Sequence, residues 1–366
     1  MVTGETEDMK SFIYVKIRFI GVLFLLILFN SITVFAAGNE EYFRSVFDPD
    51  YYYNQYPDLQ EQLGNDSEAL FHHFMTIGVR EGRSGNAEFN LRAYVLHNRD
   101  LLDYYKTDLS AYCKHYMEIG KAEGRTCLPT GDEQGLIGTY STHYDTTVPR
   151  AVNIGIAVER LNGTVIQPGQ LFSYSQTLLP RIPENGYVMA PAIGRYEYGG
   201  GICQVSTTLY NAVLRAELNV TERSPHSMTV HYVDLSEDAA IAGTYKDFKF
   251  VNSTEYPIYI EGYTTSDKKI TFNIYGKETR DKNRTISFES QMVSETPATT
   301  ILQEDAGQGI GYKAVSSKGS SGYVAELYKI VKVNGVETDR IKVNKSTYKG
   351  TNRVVTYGTA GDPTLS

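Results

Sequence analysis

GGGICQVSTTLYNAVLRA (Gly199–Ala216) joins a glycine-rich loop to a helix. Val205, Leu209, Ala212, Val213 and Ala216 recur at i, i+4, i+7, i+8 and i+11, which is one apolar stripe at helical spacing. Cys203 therefore falls in the first helical turn, and Gly199, Gly200 and Gly201 form the loop that enters it. Outward from this helix the pattern is mixed. NIGIAVERLNG predicts a helix over Val152–Leu161 ending in a turn at Asn162-Gly163. HSMTVHYV alternates, with His226, Met228, Val230 and Tyr232 on one face, and reads as a strand. DFKFVNSTEYPIYIEGYTTSDKKITFNIYG reads as two or three strands with turns at Asn252-Ser253 and Ser266-Asp267. The centre of the chain is thus an α+β domain, over residues 137–276.

The ends differ from the centre. FDPDYYYNQYPDL, starting at Phe47, and FNLRAYVLHNRDL, starting at Phe89, open two copies of a 42-residue repeat within residues 45–128. The offset aligns Tyr52 with Tyr94, Asp58 with Asp100, His73 with His115, Gly78 with Gly120 and Glu81-Gly82-Arg83 with Glu123-Gly124-Arg125. A fixed period marks supersecondary units that bury their faces on one another. Each unit reads as two or three short helices, with Gly78 as a C-cap, and His73 and His115 as packed helix histidines rather than metal ligands. Residues 129–136 are a polar linker. Residues 284–366 are strand-like throughout and carry an Asn334-Gly335 hairpin signal. The fold class expected is multi-domain α+β, with helical repeats first, a mixed domain next and a small all-β module last.

Lys10, Lys16 and Arg18 precede FIGVLFLLILFNSITVFAAG, so residues 1–37 read as a signal peptide or a membrane anchor. The rest is expected outside the cytoplasm, secreted or held at the cell surface. A net charge of −8 argues against a nucleic-acid partner, which needs clustered Lys and Arg. Tyrosine is abundant, at 29 residues, and tryptophan is absent. Phenol rings offer large faces with a polar tip, suited to wet surfaces that bind glycans or peptides. Of three cysteines, Cys113 and Cys127 are either a disulfide or two separate thiols, and Cys203 stands alone.

A thiol attacks as thiolate, and a helix N-terminus favours that form through its unpaired N–H groups. The same groups stabilise an oxyanion. Cys203 is therefore a candidate nucleophile, with Gly201 and Gln204 near the oxyanion and His226 as base. Asp238 and Asp247 are both candidates for the acid that orients the histidine. Gly199, Gly200, Gly201, Gln204, Ser206, Thr207 and Tyr210 are candidate binding residues. His231 lies on the face opposite His226 and reads as structural. No metal or cofactor is expected.

GTYSTHYD, NIGIAVERLNGTVIQPGQLFSYS, GYVMAPAI, GGGICQVSTTLYNAVLRAELNVTERSPHS and DFKFVNSTEYPIYI together resemble the VanW family, named after an accessory protein of glycopeptide-resistance operons, over residues 137–262. The chain departs from the family at YVDLSEDAAI, where the family tends to have Pro and Gly at Asp234 and Ser236, and Thr-Val at Ala240-Ile241. The tail resembles the extracellular β module named for its five glycines, and the repeats resemble those of bacterial surface proteins. These resemblances imply an envelope role in a Gram-positive-like bacterium, with peptidoglycan or another wall polymer as partner and a link to glycopeptide resistance. The resemblance supplies no reaction. Three readings follow from the residues: thiol-dependent acyl transfer or amide hydrolysis on peptidoglycan; a non-catalytic module that binds wall polymer or a surface protein; and a surface protein whose Tyr-rich repeats mediate assembly.

Overall fold

The computed structural model describes residues 40–79, 83–128, 135–144, 148–192, 195–243, 245–265 and 267–360. The leader at 1–37, most of the linker and Glu81-Gly82 lie outside the described residues. Two compact units divide the chain between Leu128 and Pro129.

In the first unit each repeat is a set of short helices ending in one wide turn. The first copy has helices at Pro49–Gln55, Pro57–Leu63 and Ser67–His73, and the turn at Phe74–Gly78. The second has Leu91–His97, a tight turn at Arg99–Leu101, Leu102–Tyr105, Leu109–His115, and the wide turn at Tyr116–Gly120. Side chains cap equivalent starts: Asp48 accepts from the Tyr51 N–H, and Asn90 from that of Ala93. The 42-residue period is carried by polar pairs inside an aromatic core. Tyr52 Oη meets His73 Nδ1 at 3.0 Å, and Tyr94 Oη meets His115 Nδ1 at 2.7 Å. Burial pushes His73 down to about 4 and lowers His115 as well, so both rings are neutral at pH 7. Arg83 and Arg125 grip Asp58 and Asp100, each at 2.8 Å.

The same tyrosines explain the repeated glycine. A Cβ on Gly78 would stand 2.2 Å from Tyr52 Oη, and one on Gly120 would stand 1.9 Å from Tyr94 Oη. Gly78 was expected as a helix cap that needs a left-handed backbone, but it is not among the residues of positive φ. It is instead the space into which a buried phenol reaches. Cys113 and Cys127 are separate thiols, the first buried and the second bonded to Glu88 O and Tyr116 Oη.

The second unit begins with β1 (Gly135–His143), α1 (Val148–Leu161), β2 (Thr164–Ile166), β3 (Leu171–Ser173), α2 (Tyr174–Leu178), β4 (Met189–Ala192), β5 (Arg195–Tyr198) and α3 (Ile202–Arg215). It continues with β6 (Asn219–Glu222), β7 (Lys249–Val251), β8 (Ile258–Thr264) and β9 (Lys269–Gly276). An antiparallel sheet of order β1-β9-β8-β2 carries α1 and α3, which also touch each other. At Gly138 on β1 an added Cβ would lie 2.5 Å from Ala212 O, so helix and sheet meet backbone to backbone. A smaller sheet has the order β3-β7-β6, and β4 pairs with β5 as a hairpin.

The sequence indicates one apolar stripe on α3, but every residue from Gln204 to Leu214 is buried. The stripe faces the sheet. The polar side is roofed by residues 237–239: Asn211 Nδ2 donates to Glu237 O at 2.7 Å, and Thr207 Oγ1 accepts from Ala239 N–H at 3.0 Å. The segment read as a strand, His226–Tyr232, alternates in burial as expected but joins no sheet.

The tail forms β10 (Arg284–Thr296), β11 (Thr300–Gly309), β12 (Lys313–Ser317), β13 (Gly322–Val333), β14 (Val336–Tyr348) and β15 (Arg353–Ala360). β10, β13 and β14 make one antiparallel sheet, with the hairpin turn at Asn334-Gly335. In the other, β15 runs between β11, parallel to it, and β12, antiparallel. Leu327 of β13 belongs to the same apolar core as α3, and Phe288 and Val343 pack against that core. Glu217, just past α3, accepts from Arg284 at 2.5 and 2.7 Å and from Lys329 at 3.0 Å. Burial opposes ionisation there, but these cations hold its carboxyl down at about 2.

Gly78→Ala and Gly120→Ala are each expected to cost about 1–3 kcal/mol through overpacking, read as a fall in Tm. Combining Gly120→Ala with Tyr94→Phe removes the clashing hydroxyl, so the double variant is expected to lose less than the sum of the singles.

Candidate functional site

The loop before α3 is shaped by close approach. A Cβ on Gly200 would sit 2.4 Å from Ala190 O on β4, and Asn153 Nδ2 donates to Gly200 O at 3.1 Å. Gly201 is the N-cap residue, with φ 110° and ψ −24°, and a Cβ there would stand 2.6 Å from Arg150 Cγ. Both positions exclude larger residues, one by contact and the other by contact and conformation. Cys203 is then delivered at the second helical residue, partly buried, with Sγ 3.5 Å from Ile241 O.

His226 is 5% exposed and lies close enough to Cys203 for the thiol group to raise its pKa. Its Nδ1 lies 2.6 Å from Asp238 Oδ2, which leaves Nε2 as the other ring nitrogen. The His226 backbone N–H donates to the same oxygen at 2.6 Å. Asp238 Oδ1 accepts from Arg223 Nη2 at 2.9 Å and from Tyr348 Oη at 2.5 Å. The buried carboxylate thus has four donors. Burial works against its ionisation, but His226 and Arg223 outweigh it and lower its pKa. Burial likewise works against the imidazolium, yet the bond to Asp238 and the nearby Cys203 raise His226 to about 9.

Cys203 and His226 border a cavity of about 570 Å³, with Asp238 buried behind the histidine. Arg150, Gly199, Gly201, Lys246 and Tyr245 are among the residues around it. His231, read as structural, is exposed at the same cavity. Among the described residues no cluster of His, Cys, Asp and Glu has the form of a metal site.

The other sequence-derived candidates lie elsewhere. Asp247 caps α2: its oxygens accept from Ser173 Oγ at 2.6 Å and from the N–H groups of Ser175 and Phe248 at 2.8 and 2.7 Å. Its hydrogen bonds go there, and Asp238 is the carboxylate bonded to His226. Gln204 turns away from sulfur, its amide donating to His143 O at 2.7 Å, and its own backbone N–H is taken by Gly201 O. Ser206, Thr207 and Tyr210 are fully inside the helix packing and line no part of the cavity, because α3 is covered on all sides. Arg150, Arg223 and Tyr348 were not singled out from sequence. Arg150 stands in the first turn of α1, before the start that the periodicity indicates, and the other two carry no local signal.

Residues 149–275 match the family described as VanW like protein, and residues 289–360 match the G5 domain. The chain is 37% identical over 129 residues to "Uncharacterized protein YoaR" of Bacillus subtilis (strain 168), covering 34% of this chain and 43% of that one. It is 28% identical over 137 residues to "Vancomycin B-type resistance protein VanW" of Enterococcus faecalis (strain ATCC 700802 / V583), covering 34% and 49%. The chain thus spans just under half the length of these relatives. Among solved structures it is similar to the G5 domain of an IgA1 protease, at 24% identity and TM-score 0.17, over 23% of this chain and 99% of that one. It is also similar to HP0197-G5, at 20% identity and TM-score 0.15, over 20% and 97%.

An NMR titration is expected to find His226 protonated at neutral pH and losing its proton near pH 9. The folded value lies above the unfolded one of about 6.5. Its stabilising contribution is therefore full below about pH 6.5 and is lost as pH rises through about 9. Urea midpoints of the wild type should fall across that window, and those of His226→Gln should not show this fall. Asp238→Asn is expected to lower the His226 midpoint and to cost about 3–5 kcal/mol, since Arg223 is left buried beside a neutral group.

Proposed function

We propose that this chain, which carries a VanW-like domain followed by a G5 domain, is a cell-envelope protein that engages wall polymer and acts on it through the Cys203 thiol. The observation that carries the chemical part is the Cys203–His226–Asp238 chain at the edge of a cavity. A nucleophile, a base close to it and an acid holding the base in one orientation are what acyl transfer by a thiol requires. The VanW-type and G5 comparisons support the envelope setting.

In this mechanism the thiol proton has already passed to His226, which is the imidazolium expected at neutral pH, and sulfur attacks the carbonyl carbon of a wall-peptide amide. The oxyanion forms near the first turn of α3. The N–H groups of Ile202 and Gln204 are taken by Gly199 and Gly201 carbonyls, so the Cys203 N–H is the donor of that turn assigned to it. The tetrahedral adduct collapses to a thioester as the C–N bond breaks, and His226 gives its proton to the departing amine. Water or an acceptor amine then attacks the thioester, His226 takes the proton, and sulfur leaves as the thiolate beside the imidazolium. Asp238 stays ionised throughout.

A second reading is a non-catalytic module that binds wall polymer or a surface protein. The comparisons favour it, because they attach the chain to envelope proteins and to no reaction. Here Gly199–Gly201 is a binding loop and Cys203 a packed helix start.

Incubating the purified protein with soluble wall peptides, and in parallel with insoluble wall, separates the two. Turnover in the wild type that falls about 10³-fold or more in Cys203→Ala, with wall pelleting retained, supports the thiol mechanism. No turnover in the wild type, with pelleting unchanged in Cys203→Ser, leaves the binding reading.

A further inference from the structure

We propose that the C-terminal β module completes the thiol centre, with Tyr348 on β14 as a positioning residue for the Asp238–His226 pair. The proposal rests on the reading of Cys203, His226 and Asp238 given above. It makes the module part of the site and not only a wall-binding appendage.

The segment that carries Asp238 is held at residues 235–238 by module strands, beside its bonds to α3 and Arg223. Tyr348 Oη donates to Asp238 Oδ1 at 2.5 Å and accepts from the Ser236 N–H at 2.7 Å. Ser236 Oγ donates to Ala325 O on β13 at 2.9 Å. Asn344 Nδ2 on β14 donates to Ser236 O at 3.1 Å. Ser290 Oγ on β10 donates to Leu235 O at 2.6 Å. Ser236 itself has φ 69°, a left-handed backbone that a non-glycine residue keeps only when its surroundings over-determine it. Here the module supplies that constraint through the N–H, the hydroxyl and the carbonyl of one residue.

The histidine side is tied as well. The Lys349 N–H, one residue beyond β14, donates to Ser227 O at 2.7 Å, next to His226. Arg223 joins the two: Nη2 bonds Asp238 Oδ1, Nε bonds Asp238 O at 2.6 Å, and Nη1 bonds Ser346 Oγ on β14 at 2.8 Å. Burial, with the adjoining Asp238 charge, pushes the Tyr348 phenol up to about 12, so it stays a donor across the working range. With Oδ1 held by Tyr348 and Arg223, Oδ2 is left facing the imidazole. Without the phenol, the carboxylate is free to turn toward Arg223 and release Nδ1.

The test compares Tyr348→Phe, Ser290→Ala and His226→Ala in the full chain. Iodoacetamide labelling of Cys203 is followed against pH by mass mapping, the His226 titration by NMR, and stability by urea. Loss of one hydrogen bond to a charged group predicts that Tyr348→Phe labels about tenfold more slowly at neutral pH. The His226 midpoint is expected to move down by about one unit. Ser290→Ala removes a module contact that does not reach Asp238, and it is expected to lower stability without changing either readout. If Tyr348→Phe and Ser290→Ala change stability alike and leave both profiles at wild type, the module has only a structural role and the proposal is overturned. Should His226→Ala fail to slow labelling of the otherwise intact protein, the reading of the thiol centre itself falls, whatever Tyr348→Phe does.

Discussion

A carboxylate with no exposure to water, Asp238, is the constraint on which the second unit turns. Taking such a charge out of water costs several kcal/mol unless donors replace the solvent. Here they come from three places: the loop after β6, which brings Arg223 and His226; the backbone of that same loop; and β14, which brings Tyr348. None of these is a neighbour in sequence, and the tyrosine is 110 residues away. The roof over α3, the histidine and the module must therefore assemble together, because any one of them missing leaves a buried charge short of a partner.

What the sequence reveals about this site follows the range of the forces involved. The start of α3, the glycine loop and Cys203 were legible, since helical periodicity and glycine punctuation act over a few residues. His226 was legible as a partner because a helix and a turn bring the chain back over that distance. The choice between Asp238 and Asp247 was not. Both are acids downstream of the histidine, and what separates them is that Asp247 turns its oxygens to the Ser173 hydroxyl and Ser175 N–H at the start of α2 and to the N–H of its neighbour Phe248. The alternation of His226–Tyr232 correctly marked an extended chain, but alternation reports a chain's own two faces and not whether a ladder partner exists. Likewise Ser206, Thr207 and Tyr210 on α3 read as binding residues from their types, and the structure buries that side of the helix, where Asn211 bonds Glu237 O and Thr207 accepts from the Ala239 N–H of the covering segment. At Ser236 the departure from the family pattern becomes intelligible: glycine suits a positive φ, and serine there is tolerated because its three polar groups are all bonded.

The helical repeats show the opposite balance, for nearly every aligned position has a visible physical purpose. Tyrosine, histidine and glycine form one device, in which a phenol crosses a gap left by the missing side chain to reach a neutral ring. Aspartate and arginine form a second, closing each unit from outside. The period was plain from sequence because both devices use residues that stand out in composition. The role of the glycine was not, since a residue that terminates a helix and one that makes room for a neighbour look the same in a string of letters.

The apolar core shared by α3 and β13 has a consequence for how this chain behaves as a pair of matched parts. Leu327 is fully buried in the cluster that also contains Val205, Leu209 and Val213. Domains joined only by a linker melt separately and are exchanged freely between proteins. Two that share a core have a common melting transition and inherit substitutions jointly. A different β module grafted after residue 283 would take Leu327, Phe288 and Val343 away from the core that contains α3, however well that module folded by itself. The boundary that family descriptions draw here is one of ancestry, and the physical unit runs across it.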